Sequence, residues 1–91
     1  MIFLHCTIKV ADKRSLKAVE RVEQELIPFI RKEEGRVCNC ISVIATDRSV
    51  RRTLIYSFRE KNKVKYAKRV VEKKLESLHY LRLDIMTYTE R

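Results

Sequence analysis

Arg48, Arg51 and Arg52 stand in and just after a turn-like stretch, Thr46-Asp47-Arg48-Ser49. A second basic set, Lys61, Lys63, Lys65, Lys68, Arg69, Lys73 and Lys74, runs through one later segment. Such residues suit phosphate: arginine offers a rigid fork of donors and lysine a compact point charge. The whole chain leans the same way, with 21 basic and 12 acidic residues among 91 and a formal net charge of +9. An excess of that size draws polyanions and speeds their association. The expected partner is therefore nucleic acid, RNA or DNA, held mainly by its phosphates with little base readout. The expected contacts are Arg48, Arg51 and Arg52 of the hairpin and Lys61, Lys63, Lys65, Arg69 and Lys73 of the later segment. The competing explanation is that a basic surface serves solubility alone.

A different chemistry could be built from His5, Arg82 and Asp84, the polar groups that acid-base or anion-binding work would need if the two ends of the chain pair. No nucleophile stands beside a base, no glycine-rich phosphate loop occurs, and no cluster has metal-ligand spacing. No catalytic residue, cofactor or metal is expected. Asp12 and Asp47 are explained as cap and turn residues. The three cysteines, Cys6, Cys38 and Cys40, are odd in number and lack a CxxC pair, so buried or half-buried free thiols are expected.

The elements that must position these groups are legible from periodicity. Met1 to Val10 alternates, with Ile2, Leu4, Cys6, Ile8 and Val10 on one side and Phe3, His5, Thr7 and Lys9 on the other, as a strand with one buried face would. From Asp12, a candidate N-cap, Leu16, Val19, Val22, Leu26, Phe29 and Ile30 recur at helical spacing up to a stop at Gly35, with Pro28 expected to kink or divide the helix near Leu26. Arg36 to Glu60 reads as a β-hairpin: Val37–Ala45 and Arg52–Phe58 are rich in β-branched and aromatic residues. Leu54, Tyr56 and Phe58 are its core candidates, while both faces of its first strand look partly covered. Asn62 is expected to cap a second helix with Val64, Ala67, Val70, Val71, Leu75 and Leu78 as its apolar stripe. Tyr80 to Thr89 alternates again, Leu81, Leu83, Ile85 and Thr87 facing one way, before a frayed Glu90-Arg91.

Two helices with one apolar stripe each and four strands with an apolar face are satisfied by both helices lying on one side of an antiparallel sheet. Right-handed crossovers then give an α+β, ferredoxin-like βαββαβ two-layer sandwich, a single domain over residues 1–91. The first and last strands should be neighbours near the centre, and the hairpin's first strand an edge. The sheet face away from the helices would carry a mixture too apolar to be left in water, so a second copy or a ligand should cover part of it. Bases need flat side chains to stack on, and Thr53 and Ile55 occupy hairpin positions where aromatics would serve. The leading expectation is thus a small, basic, non-enzymatic nucleic-acid-binding protein, a homodimer. The alternatives are a dimeric α+β barrel with a small-molecule pocket at His5, Arg82 and Asp84, and a purely structural subunit. Apolar runs no longer than four residues and the lack of a signal-peptide pattern predict a cytoplasmic protein without membrane spans.

Overall fold

The computed structural model describes residues 1–90, and the expectation for Arg91 lies outside them. The chain runs β1 (Ile2–Val10), α1 (Lys13–Lys32), β2 (Arg36–Ile44), β3 (Val50–Phe58), α2 (Lys61–Glu76) and β4 (Arg82–Thr89). The four strands form one antiparallel sheet in the order β2-β3-β1-β4. Both helices cover one face, which is the ferredoxin-like α+β arrangement. β1 and β4 are neighbours as expected. β4 is nevertheless an edge and not central, because β3 takes the other side of β1.

Alternation decides which side chains enter the core. Leu4, Cys6, Ile8 and Val10 of β1 and Val50, Leu54, Tyr56 and Phe58 of β3 are buried beneath Val19, Val22, Leu26 and Ile30 of α1 and Val64, Ala67, Val71 and Leu75 of α2. Leu16, Phe29, Val70, Leu78, Leu83 and Ile85 pack around this cluster. Within the helical layer, Phe29 meets Tyr66 edge to face, with ring centroids 5.6 Å apart. Among the described residues no helix is long and apolar enough to cross a membrane.

Asp12 caps α1 as its sequence position implies: its carboxylate accepts the Ser15 backbone N–H at 2.8 Å. The helix runs undivided through Pro28. Leu26 and Ile30, on either side of the proline, are buried while Pro28 faces outward, so packing holds the turn together against one lost hydrogen bond. Its far end is a Schellman motif. The Gly35 N–H donates to the Ile30 carbonyl at 2.8 Å and the Glu34 N–H to that of Arg31 at 3.0 Å. The left-handed residue is Glu34, with φ 60°, not the glycine. Gly35 is required for space instead: a Cβ there would lie 2.4 Å from the Phe58 ring and 2.9 Å from Ile30.

Three expectations fail at element ends. Asn62 does not cap α2; Glu60 occupies the N-cap without a side-chain bond, and its carbonyl accepts the first helical N–H from Val64. Leu81 precedes β4 and lies exposed, because the strand starts only at Arg82. Glu90 is held by its N–H to the Met1 carbonyl at 3.1 Å. The first hairpin strand departs furthest. The β2–β3 register shifts between Val37 and Asn39, a bulge that places Val37 on the helix side opposite Tyr56 and Asn39 on the other side opposite Ile55. Beyond the bulge, both faces of β2 are exposed and not partly covered.

Candidate nucleic-acid interface

The ladder registers fix the sheet face turned away from the helices. Arg51, Lys9 and Arg82 lie in one row across β3, β1 and β4, with Val43 of β2 beyond Arg51. The next row is Ile41, Thr53, Thr7 and Asp84, followed by Asn39, Ile55, His5 and Met86, and then by Arg36, Ser57, Phe3 and Tyr88. Neighbouring strands are about 4.8 Å apart, so the three cations of the first row occupy a line of roughly 10 Å. At the opposite end Phe3 and Tyr88 stack, their centroids 5.3 Å apart and their planes within 17°. His5 tilts against Tyr88 at 6.3 Å. One open face therefore carries a row of cations and an aromatic platform.

Arg48 sits at the corner of this face, in the loop joining β2 to β3. The loop is closed by the Asp47 carboxylate, which accepts from the Ser49 N–H at 3.0 Å and the Ser49 hydroxyl at 2.6 Å. Those two bonds hold the Asp47 carboxyl below its ordinary range, with Lys9 adding a favourable charge. Arg48 adopts φ 70°, a left-handed conformation that glycine or asparagine takes at less cost.

Arg52 leaves the expected set. Its parity puts it on the helix side of the sheet, where Nε and Nη2 donate to the two oxygens of Glu23 at 2.9 and 2.7 Å and Nη1 donates to Ser42 at 2.9 Å. The Glu23 side chain is 7% exposed and that of Arg52 16%. This bidentate pair raises the guanidinium's proton affinity further still, despite the opposing burial. The sequence marks this buried carboxylate only by Glu23 falling beside Val19, Val22 and Leu26 on the apolar stripe of α1.

α2 belongs to the opposite layer of the sandwich. It bears seven basic and two acidic residues. Lys63 pairs with Glu34, and Lys74 lies 3.4 Å from Glu25, so the flank toward α1 is partly neutralised. The Glu34 carboxyl is held below its ordinary range by Lys63. Lys61, Lys65 and Lys68 instead line a groove against Thr87, Tyr88 and Thr89 of β4, and Arg69 and Lys73 are exposed. The structure thus separates the expected basic residues into two surfaces: Arg48 and Arg51 on the hairpin side, and Lys61, Lys63, Lys65, Arg69 and Lys73 on the helical side. Lys9 joins the first and Lys68 the second. Lys9 has no motif to mark it and becomes legible only once its register with Arg51 and Arg82 is known.

His5, Arg82 and Asp84 do share the outer face. Arg82 Nε donates to Asp84 Oδ2 at 2.8 Å in a well-exposed pair. His5 lies one row away, opposite Met86, and bonds to neither. The face is open. Two clefts, one at the sandwich end between Glu34, Arg36, Phe58 and Lys63 and one between α2 and β4, are lined by none of these three residues. Among the described residues no cluster of His, Cys, Asp or Glu could hold a metal ion. The thiols are free: Cys38 and Cys40 are exposed on β2, and Cys6 lies in the core, where burial, reinforced by Glu72, pushes it up to about 12. Although Cys40 is exposed as a residue, partial cover of its sulfur on the helix side of β2 and then the Glu23 charge raise its thiol.

This is a two-layer ferredoxin-like protein with a basic, aromatic-bearing sheet face. No family model and no curated protein matches its sequence. Solved structures do match its shape. The de novo designed protein Foldit4 superposes with a TM-score of 0.78 at 13% identity, over 99% of this chain and 98% of that one. A proposed antibiotic biosynthesis monooxygenase from Deinococcus radiodurans gives 0.70 at 11% identity, over 100% and 93%. The designed protein LFR1 1, with ferredoxin fold, gives 0.66 at 17%, over 99% and 87%. Likeness at such identities establishes the fold and nothing about activity.

Proposed function

We propose that this chain is a small, non-enzymatic nucleic-acid-binding protein whose outer sheet face receives a single strand, chiefly through its phosphates. The observation that carries the reading is the row Arg51, Lys9 and Arg82 on the same open face as the Phe3–Tyr88 stack. Cations spaced along a sheet suit a phosphate backbone, and a flat aromatic surface beside them suits an unpaired base. The left-handed Arg48 adds support. A residue whose side chain makes its own conformation costly, at the tip of the hairpin, is a reason to look for a role in that side chain.

Fluorescence anisotropy with labelled single- and double-stranded DNA and RNA, across a salt series, tests the reading. The expected result is salt-sensitive binding, stronger for single strands, that weakens in Arg51→Ala and Lys9→Ala with the fold intact. No binding to any of the four at low salt contradicts it. The exposed Arg82–Asp84 pair supplies a sharper discriminator. Among the described residues of the four rows Asp84 is the one anion, so Asp84→Asn should tighten nucleic-acid binding.

A second reading, a pocket enclosed between the outer faces of two copies, draws on the exposed Ile41 and Met86. It needs Asp84 intact, so the Asp84→Asn variant separates the two readings.

A further inference from the structure

The two edges of the sheet are unequal. Of the nine residues of β2, only Val37 is even half-buried. Ile41, Val43 and Ile44 leave 48%, 57% and 55% of their surface exposed, the first two on the outer face and the third on the helix side. From Asn39 to Ala45 the chain carries no charge. β4 is guarded differently, with Lys61, Lys65 and Lys68 alongside it and Arg82 at its start. An edge strand presents unpaired N–H and C=O groups, which proteins shield with charge, proline or bulges. β2 has Arg36 at its start and the bulge at Cys38, and no such device from Asn39 onward.

We propose that a second copy of this chain pairs its β2 antiparallel with this one over Asn39 to Ala45, with the two-fold axis beside Ser42, to give one continuous eight-stranded sheet. The register follows from the faces. Side chains opposite each other across a pair of strands must share a face. Ile41 and Val43 point outward, while Cys40, Ser42 and Ile44 point to the helix side. Centring on Ser42 sets Ile41 opposite Val43 of the second copy and Ile44 opposite its Cys40, apolar against apolar, with no charge across the seam. Centring further back draws in the bulged Cys38, and centring further on shortens the ladder.

A pairing through the other edge meets like charge: joining two β4 edges brings both lysine rows together. The edge-joined dimer instead leaves both outer faces open on one side of the enlarged sheet. It stands independently of nucleic-acid binding.

Two measurements test the proposal. In sedimentation equilibrium the wild-type chain is expected at twice its own mass, and Val43→Lys, an exposed position, should weaken the dimer roughly tenfold or more without loss of the circular dichroism spectrum. In a Cys38→Ser/Cys40→Ser background, Ser42→Cys sits beside the axis and should form a disulfide-linked dimer under diamide. A wild-type monomer at the highest soluble concentration overturns the proposal. So does a dimer that ignores Val43→Lys and gives no Ser42→Cys cross-link, since its copies then meet at another surface.

Discussion

Arg51 and Arg52 are adjacent in sequence and face opposite sides of one sheet. Arg52 is fixed by two bonds to a buried carboxylate, whereas Arg51 stands free on the outer face in line with Lys9 and Arg82. The same guanidinium is structural on one face and available on the other. Charge in the sequence, therefore, says how much cation a chain has, and the parity of a strand says which of it can reach a partner.

The largest effect should come from separating these two residues. Arg52→Ala strands the Glu23 carboxylate in the interior and should cost roughly 3 kcal/mol in chemical denaturation. Arg51→Ala should change stability by less than about 0.5 kcal/mol while weakening nucleic-acid binding. Equal stability losses would erase the contrast. On the inner side, Gly35→Ala drives a methyl group into the Phe58 ring and should lower stability by about 1–3 kcal/mol, read from the same denaturation midpoint.

Arg48 offers a test with opposite signs. Arg48→Gly relieves a left-handed backbone and should raise stability by as much as about 1 kcal/mol, yet weaken binding of the oligonucleotide. A gain in stability with unchanged binding would make the arginine incidental.

The smallest effects are titrations. Asp12, Asp47 and Glu34 each have a folded-state carboxyl below its ordinary range, Asp12 through its bonds to Ser15, Asp47 through those to Ser49 and Glu34 through Lys63. The unfolded chain holds the extra protons, so their contribution is present above the ordinary carboxylate range and is lost as pH falls through the lowered values. Cys6 works in the other direction. Its folded thiol keeps its proton up to about 12 against 9.0 ordinarily, so stability should fall as pH rises above 9.0, and a Cys6→Ala variant should have a shallower slope, the remainder coming in part from the raised Cys40 thiol.

The inner face was readable in advance because burial imposes period: Leu4, Cys6 and Ile8 or Leu54, Tyr56 and Phe58 announce a strand and its core side together, and the helical stripes confirm the layer above. The ferredoxin-like order followed from those elements. What escaped depends on pairing. The bulge at Cys38 exchanges the faces of Val37 and the residues after it, which alternation read continuously cannot show. Glu23 was hidden because its partner is 29 residues away. The Lys9 row exists only once β1 is known to lie between β3 and β4. Asn62 has the chemistry of a cap, but the chain turned into α2 at Glu60.

The most direct test of the outer face is the slope of log Kd against log salt for a labelled single strand. Each phosphate contact on a single strand contributes about 0.7 to that slope. The double variant Lys9→Ala/Arg51→Ala should therefore lower it by about 1.4, with the wild-type denaturation midpoint retained. An unchanged slope in the folded double variant would mean that the outer-face row does not touch the strand, and that the lysines of α2 or some other surface hold it.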